Sequence, residues 1–417
     1  MMSVYMSKKH TPQYSGIYIP PHKILKRYAN VLVNFALGEG KGIKKGDVVR
    51  IAASEASKPL FIALRKAVLS AGGHIISNYQ PSDDDMFSPS RDFYDCASEH
   101  QLTYFPKKYA KGLVDEIDHN IVVIGDHNKR ALEGVDPQKI MTAGETMRPL
   151  QGWLEAKEAK GKFTWTAALY GTQAMAAEAG LTERQYWNQI IKACFLDYAN
   201  PVKAWKGVTR EIEKYRAKLD KLNIEKVHVE GDDVDLEVAI GEKRTWAGGS
   251  GKNIPSFEIF TSPDWRGTNG WIRFNMPLFR YGSYIDGIEL KFENGRVVKS
   301  RASRNQSVLR SMIATENADK VGEFSLTDRR INTFMAETLY DENFGGKWGN
   351  THIALGNAYK DCYDGDSSRV KKSTWKKLGF NESSVHTDMF STTKRRVTAT
   401  LPSGREKVIY EDGEFLV

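Results

Sequence analysis

Cysteine is scarce. Cys96, Cys194 and Cys362 stand far apart in 417 residues, with no CxxC pair. That argues against a disulfide framework and against a zinc site built on thiolates. Each cysteine is expected to pack in a core rather than to act as a nucleophile. Long apolar runs are missing too. No uninterrupted stretch approaches the ~20 residues that a membrane-spanning helix needs. Residues 1–16 lack the apolar centre of a secretory signal. The expectation is an intracellular, cytoplasmic protein with no membrane partner. Charge of one sign is only slightly in excess. Lys+Arg number 60 and Asp+Glu 52, a net +8. Spread over the chain, that surplus is dilute for a nucleic-acid-binding surface. The densest basic run, Lys394-Arg395-Arg396, is short, so no nucleic-acid partner is expected. The remaining composition, 41% hydrophobic and 27% charged, is that of an ordinary globular protein.

The first half alternates between strand and helix patterns. Val48–Ala52, His74–Ser77, Ile121–Gly125 and, more weakly, Phe163–Ala167 read as strands. Between the first two lies a helix with Ser57 as cap, Pro59 in its first turn, Leu60, Leu64, Ala67 and Val68 on one face, and Gly72 past its end. Strands separated by helices imply a mostly parallel sheet with helices on its faces. Thr182 and Gln185 form a capping-box pattern. Val208, Ile212, Tyr215, Leu219 and Leu222 then make one apolar stripe on a long charged helix, which is expected to pack on the domain or bridge to the next one. Beyond about residue 225 the pattern turns to β. Strands are expected at Val227–Val229, Val234–Val238 and Ile288–Phe292, with a hairpin turn at Asn294-Gly295. Ser403-Gly404 and Asp412-Gly413 mark two more turns, and a helix is expected around Val308–Thr315. The fold expected is an α/β N-terminal domain with a mostly parallel sheet, residues 1–225. An α+β C-terminal metal-binding domain, residues 226–417, follows it.

Common catalytic motifs are absent. There is no GxxxxGK[ST], no GxSxG and no HExxH. Gly248-Gly249-Ser250-Gly251-Lys252 has the look of a phosphate cradle, but Asn253 rather than serine or threonine follows the lysine. A flexible loop is the better expectation there. The C-terminal half holds a different inventory. His352 and His386 are the only histidines beyond residue 228. His386-Thr387-Asp388 places an imidazole and a carboxylate on one side of an extended segment. If the segment holding His352 is helical, Tyr359 shares its face two turns on. Glu323, Glu342 and Glu258 add carboxylates, Glu258 among apolar neighbours. Two histidines with several carboxylates suit a pair of divalent cations that want mixed ligands and open positions for water.

The order of these segments resembles a known family. Gly251-Lys252-Asn253-Ile254-Pro255-Ser256-Phe257-Glu258-Ile259-Phe260-Thr261-Ser262-Pro263 is similar to G-x-N-x-P-x-x-E-x-[FY]-T-x-P of the thermophilic metalloaminopeptidases, peptidase family M29. Gly322-Glu323, Leu339–Asn343, His352–Gly356 and His386-Thr387-Asp388 follow in the family's order. The resemblance implies a hydrolase with two divalent metal ions, zinc, cobalt or manganese. It implies Glu258, Glu323, His352, His386 and Asp388 as metal ligands, with Glu342 as a further carboxylate at the site. Tyr359 matches a tyrosine that stabilises the reacting carbonyl. Glu323 would bridge the metals or handle the water proton. Substrates would be peptides, cleaved from the N-terminus, and the assembly a homodimer. Ser256-Phe257 stands where the family pattern has a small, turn-forming pair. The alternatives are a two-metal hydrolase of another bond and a non-catalytic metal- or peptide-binding protein.

Overall fold

A computed structural model describes residues 18–84, 86–330 and 348–417. The N-terminal half is built on a five-stranded sheet. Its order is His74–Gln80, Val48–Ser54, His119–Ile124, Thr164–Leu169 and Asn253–Ile254. All its pairings are parallel. The connections carry helices, as parallel crossovers require. Helix Lys58–Ser70 buries Leu60, Leu64 and Val68 as its spacing demands. Ser57 holds the cap position, but its hydroxyl donates back to the Ser54 carbonyl at 2.9 Å and does not cap the helix. The capping box at Thr182 and Gln185 is formed. The last strand of the sheet, Asn253–Ile254, is short and comes from beyond residue 225.

The C-terminal half is antiparallel. An eight-stranded sheet contains the expected strands Lys226–Gly231, Val234–Ala239 and Glu289–Glu293. Asn294 and Gly295 both have positive φ, at 50° and 79°, as the two-residue hairpin requires. Asp412 and Gly413 make a second turn of the same kind, with φ 46° and 86°. A separate four-stranded sheet runs in the order His386–Ser391, Asn350–Gly356, Val321–Thr327, Glu258–Thr261. All its neighbours are antiparallel.

Helix Pro201–Leu222 links the two halves. The Asn200 side chain accepts the Lys203 N–H at 3.0 Å at its start, and Asn223 closes it in the left-handed region. Trp205, Ile212 and Leu219 are buried. The helix packs against helix His22–Val31 on one side and strand Glu258–Thr261 on the other. Its stripe is therefore consumed within the chain.

The cysteine expectation holds in part. Cys194 and Cys362 are buried, and burial pushes the Cys362 thiol up to about 12. Cys96 is exposed. It ends helix Pro89–Cys96, which lies on the surface and buries none of its residues.

Candidate metal centre

Strand register puts the candidate ligands on one face. Directly opposed residues of antiparallel strands point the same way, and so do residues two apart on one strand. Glu323 opposes Ala354, which opposes Asp388; Ser325 opposes His352; Thr327 opposes Glu258. Counting by twos from these pairs brings Glu258, Glu323, His352, His386 and Asp388 to the same face. The four strands thus contribute at least one candidate each. The helical alternative for His352 is overturned. Asn350–Gly356 is a strand, buried at every position.

The side chains converge. His352 Nε2 lies 3.2 Å from Glu323 Oε1 and 3.6 Å from Glu258 Oε2. His386 Nε2 lies 3.5 Å from Glu323 Oε2 and 3.3 Å from Asp388 Oδ1. Two donor groups result, Glu258–Glu323–His352 and Glu323–His386–Asp388, each with its ligand atoms within 4.8 Å of one another. Glu323 belongs to both and turns one oxygen toward each. Glu258, Glu323 and His352 are 9%, 3% and 1% exposed.

Such a cluster is electrostatically incomplete on its own. Burial, then the neighbouring Glu323 charge, pushes the Glu258 carboxyl up to about 8. Burial also opposes the charge on Asp388, but the His386 imidazole holds that carboxyl down at about 2. His386 is raised well above the ordinary imidazole range, because Asp388 and Glu323 outweigh its burial. Yet His386 Nδ1 lies 2.8 Å from the Asn357 carbonyl, which can only accept. Nδ1 therefore carries the proton, and in the neutral ring Nε2 offers its lone pair to the cluster. A second hydrogen bond that fixes the tautomer in this way is the habit of metal-binding histidines. Asp388 Oδ1 and His352 Nδ1 are buried without a hydrogen bond of proper geometry among the described residues. Carboxylates and imidazoles in this mixture suit divalent cations that accept both nitrogen and oxygen. The donor set fits them.

Tyr359 reaches the site from the chain that follows Gly356. Gly356 has φ 103°, and a side chain there would run into the Val385 carbonyl. The segment that follows places the Tyr359 ring 4.6 Å from His386 and 5.8 Å from Phe260, centre to centre. The Tyr359 N–H donates to Ser262 Oγ at 2.8 Å. Burial, then Glu323 and Asp388, raise the phenol well above its ordinary value, so its hydroxyl stays a donor. A cleft opens on Glu258, Glu323, Tyr359, His386 and Asp388. A second cleft also reaches Tyr359 and His386.

The family model for the thermophilic metalloprotease family M29 matches residues 22–415. The chain belongs to this family. Among M29 relatives, aminopeptidase T of Thermus thermophilus is 27% identical over 94% of this chain and 99% of its own length. Aminopeptidase AmpS of Bacillus subtilis is 24% identical over 93% and 98%. The solved structure of wild-type AmpT from Thermus thermophilus superposes with a TM-score of 0.78 at 25% identity, covering 95% of this chain and 99% of that one. The fold expected from the sequence, an α/β half with a mostly parallel sheet followed by an α+β half, agrees with that of this relative.

Five of the six candidate ligands and Tyr359 are thus brought together. Glu342 lies outside the described residues. Phe257, at the departure from the family pattern, points into the core and stacks on Trp205 at 5.4 Å, while Ser256 lines the cleft. Sequence reasoning missed one group beside the site. Lys252, in the run read as a flexible loop, pairs with Glu158 at 3.0 Å and with Asp361. No local pattern joins residues that far apart in the chain.

Proposed function

We propose that the protein is a metal-dependent aminopeptidase that releases N-terminal residues from peptides. Glu323 carries this reading, as the carboxylate shared by two donor groups on one sheet face at the end of an open cleft. The names of its M29 relatives support the bond and the end of the peptide attacked. In this reading Glu258, His352, His386 and Asp388, with Glu323 shared between the two donor groups, would hold two divalent cations. Zinc, cobalt or manganese all accept this ligand set. When bound, the pair supplies Lewis-acid activation of water and of the scissile carbonyl.

The chain's own residues do the rest. Glu323 reaches both groups and is placed to accept the proton of the attacking water and return it to the departing amine. The Tyr359 hydroxyl donates a hydrogen bond to the oxygen on which negative charge develops. Asn357 keeps the His386 ring in the tautomer that presents Nε2. A homodimer in the cytoplasm is part of the same proposal.

The test is mass spectrometry of a mixed peptide library, incubated with chelated protein before and after cation add-back. Stepwise loss of N-terminal residues only after add-back is expected. Internal cleavage would change the class to endopeptidase. No cleavage with any cation would overturn the peptidase reading, and phosphoesters would be tried next.

A further inference from the structure

The glycine run Gly248–Gly251 leads to Lys252, and its geometry is fixed. Gly248 has φ 139°, and a side chain there would strike the Glu258 carbonyl; Gly251 has φ 82° and backs onto Ala36. Thr209 Oγ1, on the long helix, donates to the Gly249 carbonyl at 3.3 Å. The Lys252 carbonyl accepts the Ala167 N–H at 2.7 Å. The run therefore delivers Lys252 to a defined point between the two halves. There its side chain is only 22% exposed. Its ammonium pairs with Glu158, the last residue of helix Arg148–Glu158, at 3.0 Å, and with Asp361. It also lies 5.7 Å from the centre of the Tyr359 ring. Both clefts that reach the site are lined by Lys252 and Tyr359.

We propose that Lys252 is the positioning residue for Tyr359. Asp361 lies two residues past Tyr359, in the single turn Lys360–Cys362. Among the described residues no group hydrogen-bonds the Tyr359 hydroxyl, so the direction of the ring depends on its packing against Phe260, His386 and the Lys252 ammonium and on how its backbone is held. Ser262 holds it through the Tyr359 N–H. The Lys252–Asp361 pair holds the chain two residues further on, and Glu158 anchors that pair to the N-terminal half. A largely buried ion pair adds little net stability, because desolvation offsets the attraction. Its contribution here is geometric. The inference rests on the reading above, in which the Tyr359 hydroxyl steadies the carbonyl under attack. A displacement of about 1 Å in such a group costs on the order of 100-fold in rate.

The test is a double-mutant cycle on the library peptide that the wild type cleaves fastest, with metal content measured for every variant. Lys252→Met is expected to lower kcat by about 10- to 100-fold, with KM little changed and metal content as in the wild type. Lys252→Arg is expected to restore most of the loss. Tyr359→Phe with Lys252→Met is expected to be no slower than Tyr359→Phe alone, within about twofold. Lys252→Met alone leaves two carboxylates facing each other. The variant Lys252→Met/Glu158→Gln/Asp361→Asn removes that charge and should show the same kcat loss while unfolding at the wild-type temperature. Multiplying losses in the Tyr359→Phe background, wild-type kcat in the charge-free variant, or loss of metal would each overturn the positioning role. A wild type that releases no N-terminal residue with any cation would overturn the aminopeptidase reading itself, and this role with it.

Discussion

The metal-free protein should lose stability as pH rises from 6 to 8.5, and Glu258 sets much of the amount. Burial and Glu323 hold its folded-state carboxyl at about 8, against an ordinary 4.5. A raised carboxyl leaves its full stability below the ordinary value and loses it as pH rises through the folded one. At 1.36 kcal/mol per unit, ionising it completely costs about 5 kcal/mol. About 2 kcal/mol of that is already felt at pH 6, so about 2–3 kcal/mol remains to be lost by pH 8.5. His352 and His386 are also raised, and their contribution is lost in the same direction. Asp388, held at about 2, titrates below the window. For a chain of this length 2–3 kcal/mol corresponds to about 3 °C in Tm. The assay is calorimetric melting of chelated and metal-loaded protein at both pH values, for the wild type and Glu258→Gln. Without metal, the variant should gain on the wild type by about 2–3 kcal/mol between pH 6 and 8.5. With metal it should melt below the wild type at both, because a ligand has gone. A metal-free difference between variant and wild type that does not change with pH would refute the reasoning.

Three further predictions follow from the same geometry. Glu323→Gln should keep the fold by circular dichroism and lose turnover by about 10³-fold or more, since one residue serves both donor groups; wild-type-like activity would remove Glu323 from the mechanism. Tyr359→Phe should lower kcat by about 10²-fold with little change in KM, as expected for a donor that acts on developing charge; a change in KM alone would assign the tyrosine to binding. Phe257→Ala should cost about 3–5 kcal/mol in denaturant unfolding, because its ring is buried against Trp205 and Phe195, while metal content at saturation stays that of the wild type.

How the site came to be legible is a matter of which strands show their period. Val48–Ser54 and His119–Ile124 are apolar runs bounded by turns, and helical spacing lies between them, so the parallel half could be read directly. The hairpin at Asn294-Gly295 needs positive φ twice, and few residue pairs tolerate that. The four-stranded sheet that carries the site was not read from periodicity. In Val321–Thr327 the residues Glu323, Ser325 and Thr327 alternate with Phe324 and Leu326, a pattern that usually means one face in water. Here every position is buried. The polar face is turned inward, where only paired charges or bound cations make burial of carboxylates tolerable. Spacing alone left a helix open for His352. Its distance of seven from Tyr359 suits a helix, but the chain runs as a strand to Gly356, a glycine in the left-handed region against Val385, and continues without helix to Tyr359. His386 and Asp388 were placed correctly because two residues in extended chain share a side whatever lies around them. The rule that follows is specific. In a half of the chain that already looks β, polar residues at alternate positions of a strand flanked by core residues mark an enclosed site when imidazoles and carboxylates dominate them. Lys252 shows where that rule stops. Its partners come from a helix and a turn that only the assembled fold brings to it, so its part in holding Tyr359 could be seen only in three dimensions.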